Sequence, residues 1–286
     1  MRYITAGRVT FAHKADAEPP NIGDILCSPR HYFDFFFEGP GRVLVVGGGA
    51  IPDPLAADGG DDFAHRLVWA TGASRPFYPR PKDRIRAIQH RLREGASRRR
   101  WPDALVGSRD PDAAGADALP CPSCFHEVCE TPRGAGIGVI LNANPRVSGG
   151  GLPDWLGQEH PGLLLGSNAM SEADLLAFFG ATRRILTNSY HMAYWSLLSG
   201  GEVAILGHSS KLASLLTLFG LDPLQIHRYP QADYRRMEAA LRDALAGGPW
   251  LSLKDPAATR EDFRARNMDF AARATRTVPG LRITRR

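Results

Sequence analysis

The chain has 286 residues, 43% of them apolar and 23% charged, a balance that supports one large or two modest hydrophobic cores and excludes a disordered chain. No stretch approaches ~18 uninterrupted apolar residues, which excludes a membrane-spanning helix. Met1-Arg2-Tyr3-Ile4 lacks the apolar run and cleavage site of a secretion signal, so a cytoplasmic location is expected, at most at the inner face of the membrane.

In chain order, the first expected strand is Val9–His13. It leads into Pro19-Pro20-Asn21-Ile22-Gly23-Asp24, a loop that opens a helical stretch. Glycine there lets the backbone approach a ligand closely, and Asn21 and Asp24 can either bind hydroxyls or cap the helix. The apolar run Arg42–Val46 reads as a strand buried on both faces and ends in Gly47-Gly48-Gly49. Such a triplet suits a phosphate or sugar held by backbone N–H groups, or simply a tight turn; it is not a dinucleotide fingerprint.

A strand over Arg66–Ala70 precedes the most basic part of the chain. Nine cations lie between Arg80 and Arg100, against Asp83 and Glu94, within a formal net charge of +5. The segment reads as a solvated helix followed by a basic loop, or as a surface attracted to an anionic membrane or lipid-linked acceptor. Few aromatics interleave with the charges, so no nucleic-acid partner is expected. Ala104–Gly107 is the next strand, and Ser108-Arg109-Asp110-Pro111 follows it. An arginine at a strand end can clamp a carboxylate or phosphate, although a structural Arg109–Asp110 arrangement is the alternative. Cys121, Cys124 and Cys129 are spaced C-x2-C-x4-C, but a closed zinc site needs four ligands and the nearest extra candidate, His126, lies inside the cluster. Reduced thiols beside a strand, with no metal, are expected.

Glu130–Gly136 is polar and rich in turn formers, like a linker. Beyond it, strands are expected over Ile137–Asn142, Gly162–Leu165, Arg184–Thr187 and Glu202–Leu206. Helices are expected over Glu172–Phe179, Met192–Ser199, Leu212–Phe219 and Arg235–Ala246, and from Pro256 onward with Phe263, Asn267, Phe270 and Ala274 on one face. This alternation implies an α/β fold with parallel sheets. The division expected is residues 1–133 and 134–286, two Rossmann-like domains whose sheets face a cleft, with the last helix packing back on the first.

Ligands collect beyond the carboxyl ends of parallel strands. The most informative such place is Thr187-Asn188-Ser189-Tyr190-His191, where a strand runs into a helix. It combines exposed N–H groups, a positive helix end and a ring that titrates near neutrality. His208-Ser209-Ser210-Lys211 repeats the theme and adds a cation.

Taken in order, Asn21–Asp24, Val43–Gly49, Trp69–Ser74, Arg109-Asp110, His191 and Lys211 resemble the motifs of the polysaccharide pyruvyl transferase family over about residues 8–220. The resemblance implies a GT-B-like architecture with an interdomain active site. It implies transfer of the enolpyruvyl group of phosphoenolpyruvate, as donor substrate with no further cofactor, onto hydroxyls of a sugar or lipid-linked oligosaccharide. The product would be a pyruvate ketal on a cell-surface polysaccharide or its precursor. On that reading His191 does acid/base work and Arg109 and Lys211 clamp the donor's charges. Gly47, Gly48, Gly49, Asn188 and Ser189 anchor it, while Asn21, Gly23 and Asp24 orient donor or acceptor. Members of the family commonly carry arginine two residues before the histidine; Ser189 stands there, leaving Arg183, Arg184 or Lys211 to substitute. The alternatives are a sugar-nucleotide-dependent glycosyltransferase of the same architecture and a non-catalytic glycan-binding relative.

Overall fold

The computed structural model of the chain describes residues 1–14, 18–51, 53–57, 63–149 and 152–286. It is an α/β protein built on one mixed sheet, one parallel sheet and a small ribbon.

The first sheet starts with a hairpin. β1 (Arg2–Ala6) turns at Gly7, whose φ of 58° suits glycine, and pairs antiparallel with β2 (Val9–His13). A short helix α1 (Ile22–Leu26) and strand β3 (Phe33–Phe37) follow, then β4 (Arg42–Gly47) and β5 (Phe63–Thr71). Beyond β5 lie α2 (Pro81–Arg100), β6 (Leu105–Ser108) and β7 (Asp117–Ala118). β2, β4, β5, β6 and β7 are parallel neighbours in that order. β4 lies between two partners, and its Val-Leu-Val-Val run is wholly buried, as a strand covered on both faces must be.

The second sheet uses β8 (Gly136–Leu141), β9 (Leu164–Ser167), β10 (Thr182–Thr187), β11 (Glu202–Gly207) and β12 (Ile226–Arg228). Helices α3 (Pro145–Ser148) and α4 (Trp155–Glu159) lie between β8 and β9, and α5 (Glu172–Ala181) precedes β10. α6 (Tyr190–Leu198) follows β10, α7 (Ser210–Leu218) follows β11, and α8 (Tyr234–Gly247) follows β12. The strand order β12-β11-β10-β8-β9 is all parallel and reverses direction between β8 and β10. That reversal opens a crevice at the carboxyl ends of those two strands.

The chain closes with α9 (Pro256–Thr277) and β13 (Leu281–Arg285), the latter paired antiparallel with β3. α9 ties the two halves together. Its Phe263 belongs to the apolar cluster around α6 and α7, whereas Phe270, Ala271 and Ala274 pack against strands of the first sheet. Between them Asn267 is wholly buried: its Oδ1 accepts from Trp69 Nε1 at 2.7 Å and its Nδ2 donates to the Pro120 carbonyl at 3.1 Å. The largest apolar cluster likewise draws on both sides of residue 133, joining Ile22, Leu26, Cys27 and Cys121–Cys129 to the core of the second sheet.

One local expectation is corrected. No basic loop follows the helix of residues 80–100; α2 continues through Arg100, because the segment holds no proline after Pro81 and Arg, Ala and Ser are tolerated in a helix.

Candidate functional site

The carboxyl ends of both sheets meet. Ser210 N donates to the Arg75 carbonyl at 2.7 Å, Phe77 N to the His208 carbonyl at 3.0 Å, and the Ser74 and Ser209 hydroxyls bond at 2.9 Å. The residues that end the strands therefore face one another. Lys14 follows β2, Gly49 follows β4, Gly72 follows β5 and Arg109-Asp110 follow β6; from the second sheet come His191 and Lys211.

α1 crosses this junction. Ile22 N donates to the Asn168 carbonyl at 2.9 Å, so the second sheet holds the start of the helix. Asn21 caps it, accepting from Gly23 N at 3.0 Å; of its two sequence roles, the structure assigns capping. Gly23 lies directly on His191: a Cβ there would come within 2.3 Å of Nδ1. On its other side the imidazole meets Cys121, with Nε2 3.7 Å from Sγ. His191 is thus sealed, only 2% exposed. Burial first, then the nearby Arg109 and Lys211 cations, hold its pKa well below the ordinary histidine value, so the ring is neutral at neutral pH.

Asp24 and Lys211 are half-buried in the same place. Burial raises the Asp24 pKa, against the pull of Lys14, Lys211 and Arg109. Burial lowers that of Lys211 to about 8, opposed by Asp24. A carboxyl pushed up is a stronger base than usual and an amine pushed down a stronger acid, which suits the pair to proton transfer. Asp24 also reaches the glycine triplet, its Oδ1 lying 3.4 Å from where a Gly49 Cβ would stand.

Arg109 is 2% exposed, its guanidinium carbon 3.9 Å from the centre of the Tyr190 ring. Its Nε and Nη1 have no hydrogen-bond partner among the described residues, nor has the Tyr190 hydroxyl. No ion pair joins Arg109 to Asp110 there; Asp110 Oδ2 instead accepts from Ala73 N at 2.6 Å, and its Oδ1 is unpartnered. Buried donors are rarely left unsatisfied, so the Arg109 nitrogens and the Tyr190 hydroxyl have the capacity to meet an acceptor here. An open cleft of about 480 Å3 lies beside Asp110, lined also by Gly72, Ser210 and, from α2, Arg91 and Arg98.

Four expected ligand residues serve other ends. Asn188 is wholly buried: Oδ1 accepts from Asn142 N at 2.7 Å, and Nδ2 donates to Ser148 Oγ at 2.9 Å and to the Tyr229 hydroxyl at 3.2 Å. Its amide staples the loop after β8 to the loop after β10 and fills the crevice at the strand reversal. Gly47 packs against Pro29, where a Cβ would meet Cδ at 2.6 Å, and Gly48 against the Cys27 sulfur. Both keep close packing beside α1, and Gly49 is the triplet member beside Asp24. Ser189 is the buried N-cap of α6, and its hydroxyl does not cap the helix. Arg183 and Arg184 cannot supply the missing charge, since they pair with Glu202 at the amino-terminal end of β10. The cations near His191 are Arg109, from the first sheet, and Lys211.

Sequence reasoning missed Tyr190, Cys121 and Asn168. Tyr190 stood next to the chosen histidine, so a more generous reading of that loop would have included it. Asn168 follows an undistinguished strand, yet its Nδ2 is buried without a partner while its Oδ1 accepts from Ala143 N at 2.7 Å. The cysteines are free and buried, three of them in tight turns rather than beside a strand; no group of metal-ligating side chains occurs among the described residues. Comparison of the chain with known protein families, curated proteins and solved structures gives no match.

Proposed function

We propose that this chain is a pyruvyl transferase of GT-B-like, two-domain architecture. It moves the enolpyruvyl group of phosphoenolpyruvate onto two hydroxyls of a cell-surface polysaccharide or its lipid-linked precursor. The observation that carries the reading is the unpartnered Nε and Nη1 of buried Arg109, beside Lys211 and Lys14 at the junction of the two sheets. A small ligand with both a carboxylate and a phosphate answers such a cluster of donors and cations.

The proton traffic follows from the shifted groups. In the first step the Lys211 ammonium gives its proton to the methylene carbon, which becomes a methyl group, while an acceptor hydroxyl adds to the central carbon and passes its proton to the Asp24 carboxylate. In the second step Lys211, now an amine, takes the proton of the second hydroxyl as that oxygen displaces phosphate. Asp24 protonates the departing phosphate, so both groups return to their starting forms. His191, sealed beneath Gly23, acts by positioning: its ring holds the turn that presents Asp24. Arg109 binds the donor's negative charge and stabilises what develops on it.

Calorimetric titration with phosphoenolpyruvate tests the reading, with Arg109→Met as the comparison. The expected result is a heat of binding in the wild type that is lost in the variant, with release of inorganic phosphate once sugar acceptors are added. A wild-type chain that gives no heat with phosphoenolpyruvate overturns it.

A further inference from the structure

α2 stands apart from the rest of the molecule. Its 20 residues include none that is buried, and among the described residues it rests on the body along one side, through Ser97 to Asp53 at 3.1 Å and Arg98 to the carbonyls of Ala114 and Gly115 at 3.0 Å each. The half-buried positions Asp83, Ala87, His90, Glu94 and Ser97 mark that side. Ile85, Ile88 and Leu92, at i, i+3 and i+7, share the opposite face and are 58%, 59% and 70% exposed. An apolar ridge facing directly away from a folded body has no packing role within the chain.

Charge surrounds the ridge. The two acids of the segment are spent on neighbours, Asp83 on Arg80 and Glu94 on Arg98. Lys82, Arg84, Arg86, Arg91, Arg93 and Arg99 make no ion pair among the described residues. At about 100° per residue, Arg84 and Arg91 project on one flank of the ridge and Lys82, Arg86 and Arg93 on the other.

We propose that α2 is a docking helix for an anionic lipid bilayer, lying in the plane of the membrane with Ile85, Ile88 and Leu92 among the acyl chains and the flanking cations on the headgroups. This division of apolar ridge and cationic flanks is what an interfacial helix requires. A second copy of the chain does not suit the surface, since two such faces brought together would set cations against cations. A nucleic acid would match the charge but leave the aliphatic ridge without a complement. Docking sets the cleft lined by Arg91 and Arg98 at the lipid surface, where an acceptor carried on lipid would enter; that consequence rests on the pyruvyl-transfer reading, whereas docking itself does not.

Sedimentation of the full chain with vesicles provides the test. One set is equal parts phosphatidylglycerol and phosphatidylcholine, the other phosphatidylcholine alone. The wild type should bind the first, not the second, and each cation removed should weaken binding roughly fivefold. Both Ile85→Gln/Ile88→Gln/Leu92→Gln and Arg84→Gln/Arg86→Gln/Arg93→Gln should lose binding by about 100-fold or more. Gln is a good helix former at exposed positions, and circular dichroism checks that α2 persists. The proposal is overturned if phosphatidylglycerol vesicles are not bound, if phosphatidylcholine alone is bound equally, or if either triple variant binds as the wild type does. It is also overturned if the ridge instead supports a dimer that the apolar triple variant dissolves. Phosphoenolpyruvate titration of the same variants reads the site separately, so failure of docking and failure of the site reading are told apart.

Discussion

Substituting Gly23 by alanine tests the contact on which the site is built. A methyl group there would lie 2.3 Å from His191 Nδ1, 2.5 Å from Cγ and 2.6 Å from Cβ, far inside van der Waals contact. The ring has little room to withdraw. Cys121 Sγ stands 3.7 Å from its far nitrogen, and Trp195 packs against it with ring centres 5.5 Å apart. α1 must move instead, and it carries Asp24. Gly23 has a helical backbone without positive φ, so the contact alone decides the outcome. Overpacking costs about 1–3 kcal/mol, while alanine in place of glycine within a helix returns up to ~1 kcal/mol. Gly95 in α2 is the internal control, because a Cβ there meets nothing within 4 Å. Gly95→Ala should raise the melting temperature slightly, and Gly23→Ala should melt roughly 2–5 °C below that control. On the pyruvyl-transfer reading, a displacement of about 1 Å at Asp24 should also weaken phosphoenolpyruvate turnover by up to ~100-fold. Equal melting temperatures for the two variants, with unaltered phosphoenolpyruvate binding, would refute the seating of His191 beneath Gly23.

Three further expectations follow from the same geometry. If His191 positions rather than transfers protons, His191→Gln should lower phosphate release by less than ~10-fold without altering its pH profile, whereas Asp24→Asn should lower it ~100-fold or more. Stability should fall as pH drops below about 6.5, since His191, His13 and His208 have folded pKa values lowered by burial, the latter two to about 4 and about 3. The unfolded chain then binds more protons than the folded one, so acid favours unfolding between pH ~6.5 and those values; Asp24, with its raised pKa, runs the other way and loses its contribution as pH rises past 3.8. Denaturant titrations at pH 7.5 and ~5 read the difference, and equal stabilities would contradict neutral buried imidazoles. Asn267→Ala should lower stability by about 2–4 kcal/mol, because it leaves Trp69 Nε1 and the Pro120 carbonyl buried without partners. A loss below ~1 kcal/mol would mean that water or a shifted side chain replaces the amide.

Each strand expected from the sequence is present, with ends displaced by a few residues, because runs such as Val43–Val46 and Val203–Leu206 can be stable only where both faces are covered. β1, β3, β7, β12 and β13 were not legible. β1 is an exposed edge that lacks such a run, and β7 and β12 are only a few residues long. β3 and β13 stabilise each other across nearly the whole chain, through a pairing that no local window contains. The glycine triplet and the Asn21–Asp24 turn were visible as places where backbone could approach something. What they approach was not: the sequence left open a ligand, a tight turn or a helix cap, whereas Gly48 meets the Cys27 sulfur and Gly23 the His191 ring.

Composition and pattern alone determined the α/β class, the parallel strands, the basic character of α2 and the short set of loops singled out as candidates for a site. These are properties of residues near one another in the chain, governed by burial period and turn chemistry. Only the tertiary structure decided which loops meet, that Asn188 is consumed in bracing two of them, that His191 is sealed while Asp24 and Lys211 are not, and that the guanidinium of Arg109 is buried without a partner. Protonation and hydrogen-bond satisfaction depend on burial and on neighbours brought from distant positions, and those neighbours exist only once the two sheets have met.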